Sequence, residues 1–213
     1  RLDDVWSVAI ETTRAGQLLV ASDKSLSSFS IDNTDGKLTE VDKLVYEQSE
    51  TGSPLYMAIN PTSDKVVITN QKNVNNVIFA AAVESNGMLS KLTSSSHNGL
   101  YLSLRWSNNN EQLYAANYFG GNILNLNLNS KEVDNTDLGS PYSSRIDKFD
   151  VGPQTLVGLD RLGNVTKLKV AAGEIVASQQ FLEANLDEDL STYFYNSYFQ
   201  IWICISQFIQ IDN

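Results

Sequence analysis

The sequence predicts an all-β fold built from a four-stranded unit that repeats along the chain, with little helix. Four short apolar segments, each ending in a small polar residue, begin at Leu18, Val66, Leu113 and Leu156, so their spacing is 48, 47 and 43 residues. Short Gly turns recur between the segments, and no segment keeps a helical period. A period in the forties with several short strands per unit is typical of β-propeller blades.

The second unit shows the predicted elements most clearly. Its four strands are expected at residues 55–60, 66–70, 77–83 and 89–93. A polar turn, Pro61–Lys65, separates the first two, and Asn86-Gly87 forms a tight hairpin turn before the last. The β-branched run Val66–Asn70 predicts a strand that is buried on both faces.

The other three units follow the same order. Strands are predicted at 8–11, 18–22, 26–31 and 38–44 in the first unit, at 101–106, 113–117 and 123–128 in the third, and at 146–151, 156–160, 165–170 and 175–181 in the fourth. Each unit is expected to contain four strands, and no range is assigned to the fourth strand of the third unit. Residues 1–189 are therefore predicted to form a partial β-propeller of four-stranded antiparallel blades, about four to five in number.

The C-terminal segment 190–213 differs from the rest of the chain. Residues 190–211 contain no charged side chain and are rich in Tyr, Phe and Ile. Gln and Asn interrupt the run, which argues against a membrane-spanning helix of roughly twenty apolar residues. Two readings stay open: the segment forms strands without partners in these units, or it is not native coding sequence.

Composition restricts the partners. The net charge of −10 argues against a nucleic acid, because phosphate binding needs clustered Lys and Arg. Cys204 is the only cysteine and His97 the only histidine, so neither a disulfide nor a metal site is predicted, and no cofactor is expected. No charged-then-apolar leader is visible, so a cytoplasmic protein that does not engage the membrane is expected.

Two stretches resemble a known family. Residues 20–39, which include Phe29-Ser30-Ile31-Asp32 and Asp35-Gly36, are similar to the opening blade of the seven-bladed lactonase propellers. The stretch Tyr114-Ala115-Ala116-Asn117-Tyr118 is similar to the Ala-Asn-Tyr signature of that family. The family includes 6-phosphogluconolactonase and carboxy-cis,cis-muconate cyclase. The resemblance covers residues 8–182 and implies an incomplete propeller, because seven blades would need about 320 residues at this period.

The resemblance implies a site for a small anionic substrate, a sugar lactone or a muconate, with a place in carbohydrate metabolism. The family carries a His-x-His-type segment just before the strand that is predicted to begin at Ile146. Here Ser143, Ser144 and Arg145 stand in that position. Arginine holds its proton up to about pH 12 and is a poor replacement for a histidine base. Activity is therefore expected to be impaired.

Five residues are candidates for the site. His97, predicted in the loop before the third unit, is the candidate base, and Arg145 is the candidate anion-binding group in the catalytic position. Asn117 and Asp160 end equivalent strands of neighbouring units and are expected at one mouth of the channel, where they would bind substrate. Arg105 is a further substrate-binding candidate. Each also has a structural reading, such as a polar residue that closes a turn.

Two functions remain open from the sequence. The first is a lactone hydrolase or muconate cycloisomerase-like enzyme that acts on a small anionic lactone. The second is a non-catalytic propeller that serves as a binding or scaffold module, which the missing histidine favours. The sequence does not decide between them, so whether the protein is an enzyme is left open.

Overall fold

The computed structural model describes residues 9–72, 75–107, 112–117, 123–128, 134–138, 146–151, 155–160, 164–171 and 174–182. Arg145 and the segment 190–213 lie outside the described residues, so the predictions for both stay predictions. The described residues contain sixteen β-strands and no helix. None of this part of the chain could therefore cross a membrane as an apolar helix.

The strands form four antiparallel sheets of four strands each, here called blades 1 to 4. Blade 1 contains β1 (Ala9–Thr12), β2 (Gln17–Ala21), β3 (Ser25–Ile31) and β4 (Leu38–Val45). Blade 2 contains β5 (Ser53–Ile59), β6 (Lys65–Lys72), β7 (Asn75–Val83) and β8 (Leu89–Asn98). Blade 3 contains β9 (Tyr101–Trp106), β10 (Leu113–Asn117), β11 (Ile123–Asn127) and β12 (Asp134–Asp137). Blade 4 contains β13 (Ile146–Val151), β14 (Thr155–Asp160), β15 (Val165–Ala171) and β16 (Glu174–Leu182).

Strand order within each blade equals sequence order. The first strand of each blade contacts the first strand of the next, through the pairs β1–β5, β5–β9 and β9–β13. The first strands are therefore the inner strands, and the sheets are arranged radially around them. Among the described strands, no extended contact joins blade 4 to blade 1. The four blades form an incomplete β-propeller, as the sequence predicts.

The second strand of each blade is largely buried. Val66, Val67 and Ile68 on β6 are all fully buried. Because successive side chains of a strand point to opposite faces, Val66 and Ile68 pack towards blade 1 while Val67 packs towards blade 3. A strand between two blades thus needs apolar residues at every position, which explains the continuous apolar runs that mark the repeat.

Three apolar clusters fill the spaces between neighbouring blades. The first joins blades 1 and 2 and includes Leu19, Leu26, Ile68 and Phe79. The second joins blades 2 and 3, and the third joins blades 3 and 4. Trp106 packs against the second cluster, between blades, as its position at the end of a predicted inner strand suggests.

Polar contacts also cross from blade 1 to blade 2. The Gln17 side-chain amide donates to the Ser85 carbonyl at 2.7 Å, and the Ser28 hydroxyl donates to the Gly87 carbonyl at 2.5 Å. Both acceptors lie in the hairpin between β7 and β8. Gly87 has a φ of +90°, a conformation that glycine adopts without strain. The Asn86-Gly87 turn predicted from sequence is therefore also a docking point for the neighbouring blade.

Two elements differ from the sequence prediction. Strand β8 continues to Asn98, five residues beyond its predicted end, and it pairs with β7 along its whole length. His97 therefore lies in a strand and not in a loop. Strand β12, with the sequence Asp-Asn-Thr-Asp, supplies the expected fourth strand of blade 3, at a position that the sequence analysis did not assign. Both are outer strands, where backbone pairing on one side is enough and polar side chains are tolerated.

Candidate functional site

Each inner strand has two ends, and these define two faces of the blades. We call the side where the inner strands begin the upper face, and the side where they end in a hairpin turn the lower face. The second strand runs antiparallel to the inner strand, so its last residue returns to the upper face. Asn117 pairs with Tyr101 at the start of β9, and Asp160 pairs with Ile146 at the start of β13.

Asn117 contacts the connection between blades 2 and 3. Its side-chain carbonyl accepts a hydrogen bond from the Leu100 backbone amide at 3.3 Å. Gly99 lies so close that a Cβ atom there would be 2.8 Å from the Asn117 amide nitrogen, and Gly99 has a φ of +115°. Asn117 therefore fixes the entrance of the chain into β9. This contact has a structural role. It does not test the predicted binding of a substrate by Asn117.

Asp160 is buried at the end of β14 and holds the turn into β15. One carboxylate oxygen accepts the Asn164 backbone amide at 2.9 Å, and the other accepts the Asn164 side-chain amide at 2.9 Å. The side chain is only 1% exposed. A buried carboxylate needs such partners, because desolvation without them is costly. A substrate contact of Asp160 also stays a prediction.

His97 lies near the upper end of β8, opposite Asn76 on β7. Its Nε2 atom is 2.6 Å from the Ser95 hydroxyl, and its ring meets the edge of the Tyr101 ring at a centroid distance of 6.4 Å. Burial lowers the pKa of His97 below its usual value, so the ring is neutral at pH 7. A neutral imidazole is the form that can accept a proton. The structure thus brings His97, Asn117 and Asp160 to the same face.

Arg105 lies on the other face. It is the next-to-last residue of β9, where it pairs with Tyr114, whereas Asn117 pairs near the start of the same strand. The separation along β9 is four residues, or about 13 Å at the usual rise per residue. The candidate residues therefore do not form one group: Arg105 is separate from the upper-face residues. Arg145 directly precedes β13 in the sequence but lies outside the described residues.

A cavity of about 340 Å³ opens on the lower face beside Arg105. Three successive inner strands supply its walls, each through its last residues or the turn that follows. The lining includes Glu11 and Arg14 from blade 1, residues 56–61 from blade 2, and Leu104, Arg105 and Trp106 from blade 3. We call this cavity the lower-face pocket. Within the described residues, no group of three or more His, Cys, Asp or Glu side chains comes together to bind a metal.

The side chains of the lower-face pocket are held in place by their neighbours. Arg105 donates from one guanidinium nitrogen to the Tyr56 hydroxyl and, at 2.8 Å, to the Leu104 carbonyl. The guanidinium carbon also lies 5.4 Å from the Tyr56 ring centroid. The Trp106 indole N–H donates to the Ala58 carbonyl at 3.3 Å. Burial raises the pKa of Glu11, and the positive charge of Arg105 opposes this rise.

Sequence reasoning missed Glu11, Arg14 and Tyr56 as members of this pocket. Glu11 and Arg14 flank the first hairpin turn, Tyr56 lies in the second inner strand, and no local motif links them. A signal was nonetheless present. When the units are aligned by their repeat, the first three predicted inner strands lie side by side. The charged and aromatic residues at the ends of these strands then become neighbours.

The fold defines an incomplete β-propeller, and comparison with known proteins gives the family. The family described as "Lactonase, 7-bladed beta-propeller" matches residues 12–138, more than half of the chain. The protein belongs to this family. No curated protein matches the chain in sequence.

Solved structures share the fold at low sequence identity. A protein from Lactobacillus plantarum superimposes with a TM-score of 0.63 and 15% identity, over 83% of this chain and 55% of its own. A provisionally assigned 6-phosphogluconolactonase from Bacteroides uniformis gives 0.60 and 13%, over 81% and 57%. A chain of a nidogen/laminin complex gives 0.55 and 13%, over 83% and 64%. The chain thus spans just over half the length of the first two structures.

Proposed function

We propose that the protein is a lactonase-type propeller whose upper face takes a small anionic lactone, a sugar lactone or a muconate lactone, and whose turnover in this chain is low. The observation that supports this proposal best is the family match over residues 12–138. The His97 ring contacts the Tyr101 ring, and Asn117 accepts the Leu100 backbone amide. Both residues therefore lie beside the connection between blades 2 and 3, which adds support. A phosphogluconolactone substrate would place the reaction in carbohydrate metabolism, in the cytoplasm.

Opening a lactone needs a group that moves a proton and cations that hold the substrate anion. In this proposal, His97 is the proton acceptor, since burial keeps its ring neutral. Arg145 binds the substrate anion through a forked pair of hydrogen bonds. Asn117 and Asp160 border the substrate from the ends of β10 and β14. Low turnover follows because an arginine stands where the family resemblance places a histidine, and arginine does not give up its proton near neutral pH.

The second candidate function is a non-catalytic binding or scaffold module. The contacts of Asp160 favour it, because both carboxylate oxygens already accept hydrogen bonds from Asn164. A carboxylate whose two oxygens both accept hydrogen bonds within a turn has fewer acceptor positions left for a substrate. In this reading the upper-face polar residues order the loops, and the propeller surface recognises a partner.

The first testable prediction concerns hydrolysis of 6-phosphogluconolactone by the purified chain. We expect a rate no more than about tenfold above the spontaneous rate, because the histidine base expected at position 145 is replaced by arginine and its assistance of about 10² to 10⁴ is missing. Positioning of the substrate and the weaker contribution of His97 remain. A pH-stat assay measures it. Lys43→Gln removes an exposed positive charge from an outer strand and serves as the control variant. Its rate of hydrolysis should equal that of the unmodified chain.

Two variants separate the possible outcomes. Robust turnover that disappears in His97→Ala would contradict low turnover and make His97 a fully competent base. Robust turnover that survives in His97→Ala but is lost in Arg145→Ala would instead mean that Arg145 polarises the lactone carbonyl. A spontaneous rate in the chain and in both variants, together with no binding of the lactone, would favour the scaffold module.

A further inference from the structure

We propose that the lower-face pocket binds a small organic monocarboxylate, whose carboxylate faces Arg105 and Arg14 and whose apolar body lies against Trp106. This site is on the opposite face from the residues of the proposed lactone site and does not depend on that function. No motif or family resemblance assigns it. It is defined by the meeting of three inner strands from three blades.

The size and the rigid walls of the lower-face pocket suit a small molecule. A volume of about 340 Å³ is at the lower end of the range of roughly 300–1,000 Å³ found for small-molecule sites. Because each wall belongs to a different blade, the walls are fixed by the packing between blades and not by one flexible loop. The Trp106 indole is oriented by its bond to the Ala58 carbonyl, and the Tyr56 ring by its contact with Arg105. The pocket is therefore formed before a ligand arrives, which lowers the cost of binding.

Charge points to an anion. The whole chain carries a net charge of −10, yet two of the three charged residues that line this pocket are arginines. Arginine binds carboxylates through parallel N–H donors, and the effect is strongest where the guanidinium is already fixed. Arg105 is fixed by the Tyr56 hydroxyl and the Leu104 carbonyl. The pocket is thus a local positive region in an otherwise acidic molecule.

Glu11 restricts the ligand to one negative charge. Its carboxyl group lines the same pocket and is near enough to Arg105 for the two charges to interact. A dianion such as the hydrogen phosphate ion would meet both the arginines and this carboxyl, and like charges repel. A monoanion can bind the arginines while Glu11 takes up a proton. Burial already raises the pKa of Glu11, and the groups that face it across the pocket are Arg14, Tyr56 and Arg105.

The apolar walls favour an organic ligand over an inorganic ion. Met57, Ile59, Pro61, Leu104 and Trp106 line the pocket beside the charged residues. An indole face and aliphatic side chains gain free energy by covering an apolar body, at roughly 25 cal/mol per Å² of buried apolar surface. A free inorganic ion would leave this surface in contact with water.

The rim beside Arg14 is held by an unusual residue. Ser63, in the turn between β5 and β6, has a φ of +62°, the left-handed region that non-glycine residues rarely adopt. Its hydroxyl accepts the Arg14 backbone amide at 3.1 Å. The two hairpin turns are thereby joined at the pocket. Backbone strain of this kind often marks positions where a precise arrangement is maintained.

The test is a titration of the ¹⁵N-labelled full chain with benzoate, an aromatic monocarboxylate, followed through the indole N–H resonance of Trp106. That resonance is assigned with Trp106→Phe among the three tryptophans. We expect a saturable shift. Arg105→Gln should weaken benzoate binding about tenfold or more, as the loss of a charge-assisted hydrogen bond does. Lys24→Gln removes the same charge from an exposed position at the upper side of blade 1 and should change the dissociation constant less than twofold.

Glu11→Gln gives a result that misfolding cannot imitate. Removing the facing carboxyl should tighten benzoate binding severalfold at pH 7 and abolish the pH dependence of binding, whereas the unmodified chain should bind more tightly as the pH falls. Inorganic phosphate should bind more weakly than benzoate. The proposal is overturned if Arg105→Gln binds benzoate as the unmodified chain does, if Glu11→Gln weakens binding, if phosphate competes equally, or if Trp106 does not respond. Arg145→Ala should leave benzoate binding intact whether or not it affects lactone hydrolysis.

Discussion

Replacing Ile68 by alanine is expected to lower the free energy of unfolding by about 2–5 kcal/mol, the range for a fully buried isoleucine that leaves a cavity. Ile68 is fully buried and lies in the cluster that joins blades 1 and 2, together with Leu19 and Phe79. The cavity would open between two packed sheets, which relax around it only in part. Urea unfolding, followed by intrinsic fluorescence at constant protein concentration, measures the change.

Ile10 provides the matched control. It is the same residue type and also lies in a strand, but it is 59% exposed. Ile10→Ala should therefore change the free energy of unfolding by no more than about 0.5 kcal/mol. Equal losses in the two variants would mean that the cluster between blades 1 and 2 does not stabilise the fold as described.

The second large effect is expected at Glu50, in the connection between blades 1 and 2. Its side chain is only 2% exposed, and its carboxylate accepts Lys91 Nζ at 2.6 Å, the Ser94 hydroxyl at 2.5 Å and the Glu47 backbone amide at 2.8 Å. Lys91 and Ser94 belong to β8, so this carboxylate attaches the connection to the outer strand of blade 2. Glu50→Ala should lower the free energy of unfolding by about 3 kcal/mol, the lower end of the range for breaking a buried ion pair. The loss is at the lower end because Lys91 retains Glu47 as a partner.

Glu47→Ala is the control for Glu50→Ala. It removes the other carboxylate from the same lysine, at 2.8 Å, but the Glu47 side chain is 70% exposed. An exposed ion pair contributes about 0–1 kcal/mol, so Glu47→Ala should lower the free energy of unfolding by no more than this. Similar losses at the two positions would contradict the importance of the buried carboxylate.

The contribution of Glu50 should also depend on pH. Burial pushes the pKa of Glu50 upwards, but the hydrogen bonds from Lys91, Ser94 and the Glu47 amide outweigh burial and leave the pKa below its usual value. A lowered pKa in the folded state means that the stabilisation is complete above the unfolded value of about 4.3 and is lost as the pH falls through the folded value. The difference in stability between the unmodified chain and Glu50→Gln should shrink over that acid range.

The blade repeat could be predicted because its signal is strong and physically necessary. A second strand that lies between two blades is covered on both faces, so its side chains are mostly apolar or small, as at Val66, Val67 and Ile68. The turns were equally clear, since Gly87 adopts the positive φ that this hairpin requires. These constraints are local in sequence, and a single chain is enough to reveal them.

The outer strands could not be predicted equally well. Residues 94–98 of β8 and residues 134–137 of β12 are polar, and polar runs usually form loops. In the structure their backbone pairs with one neighbouring strand while side chains such as Ser94 bond elsewhere, here to Glu50. Whether such a run extends or turns is decided by the partner strand, which the local sequence does not describe.

The candidate site was predictable only in part. The shared position of Asn117 and Asp160 followed from the repeat, because both end the same strand of consecutive blades. The opposite position of Arg105 also follows from strand direction, but its pocket does not. Glu11, Tyr56 and Arg105 are each separated by more than forty residues, and only the side-by-side arrangement of three inner strands brings them to one cavity.

The bonds from Gln17 and Ser28 to the β7–β8 hairpin have a consequence for how the molecule opens. Each hydrogen bond forms only while blade 1 packs against blade 2. Neither blade can therefore unfold fully without breaking contacts of the other. In an array where units touch only their neighbours, such bonds merge two units into one cooperative block. The backbone amides of β6 and β7 should therefore exchange their protons for deuterium only when both blades separate, and local opening should begin elsewhere in the array.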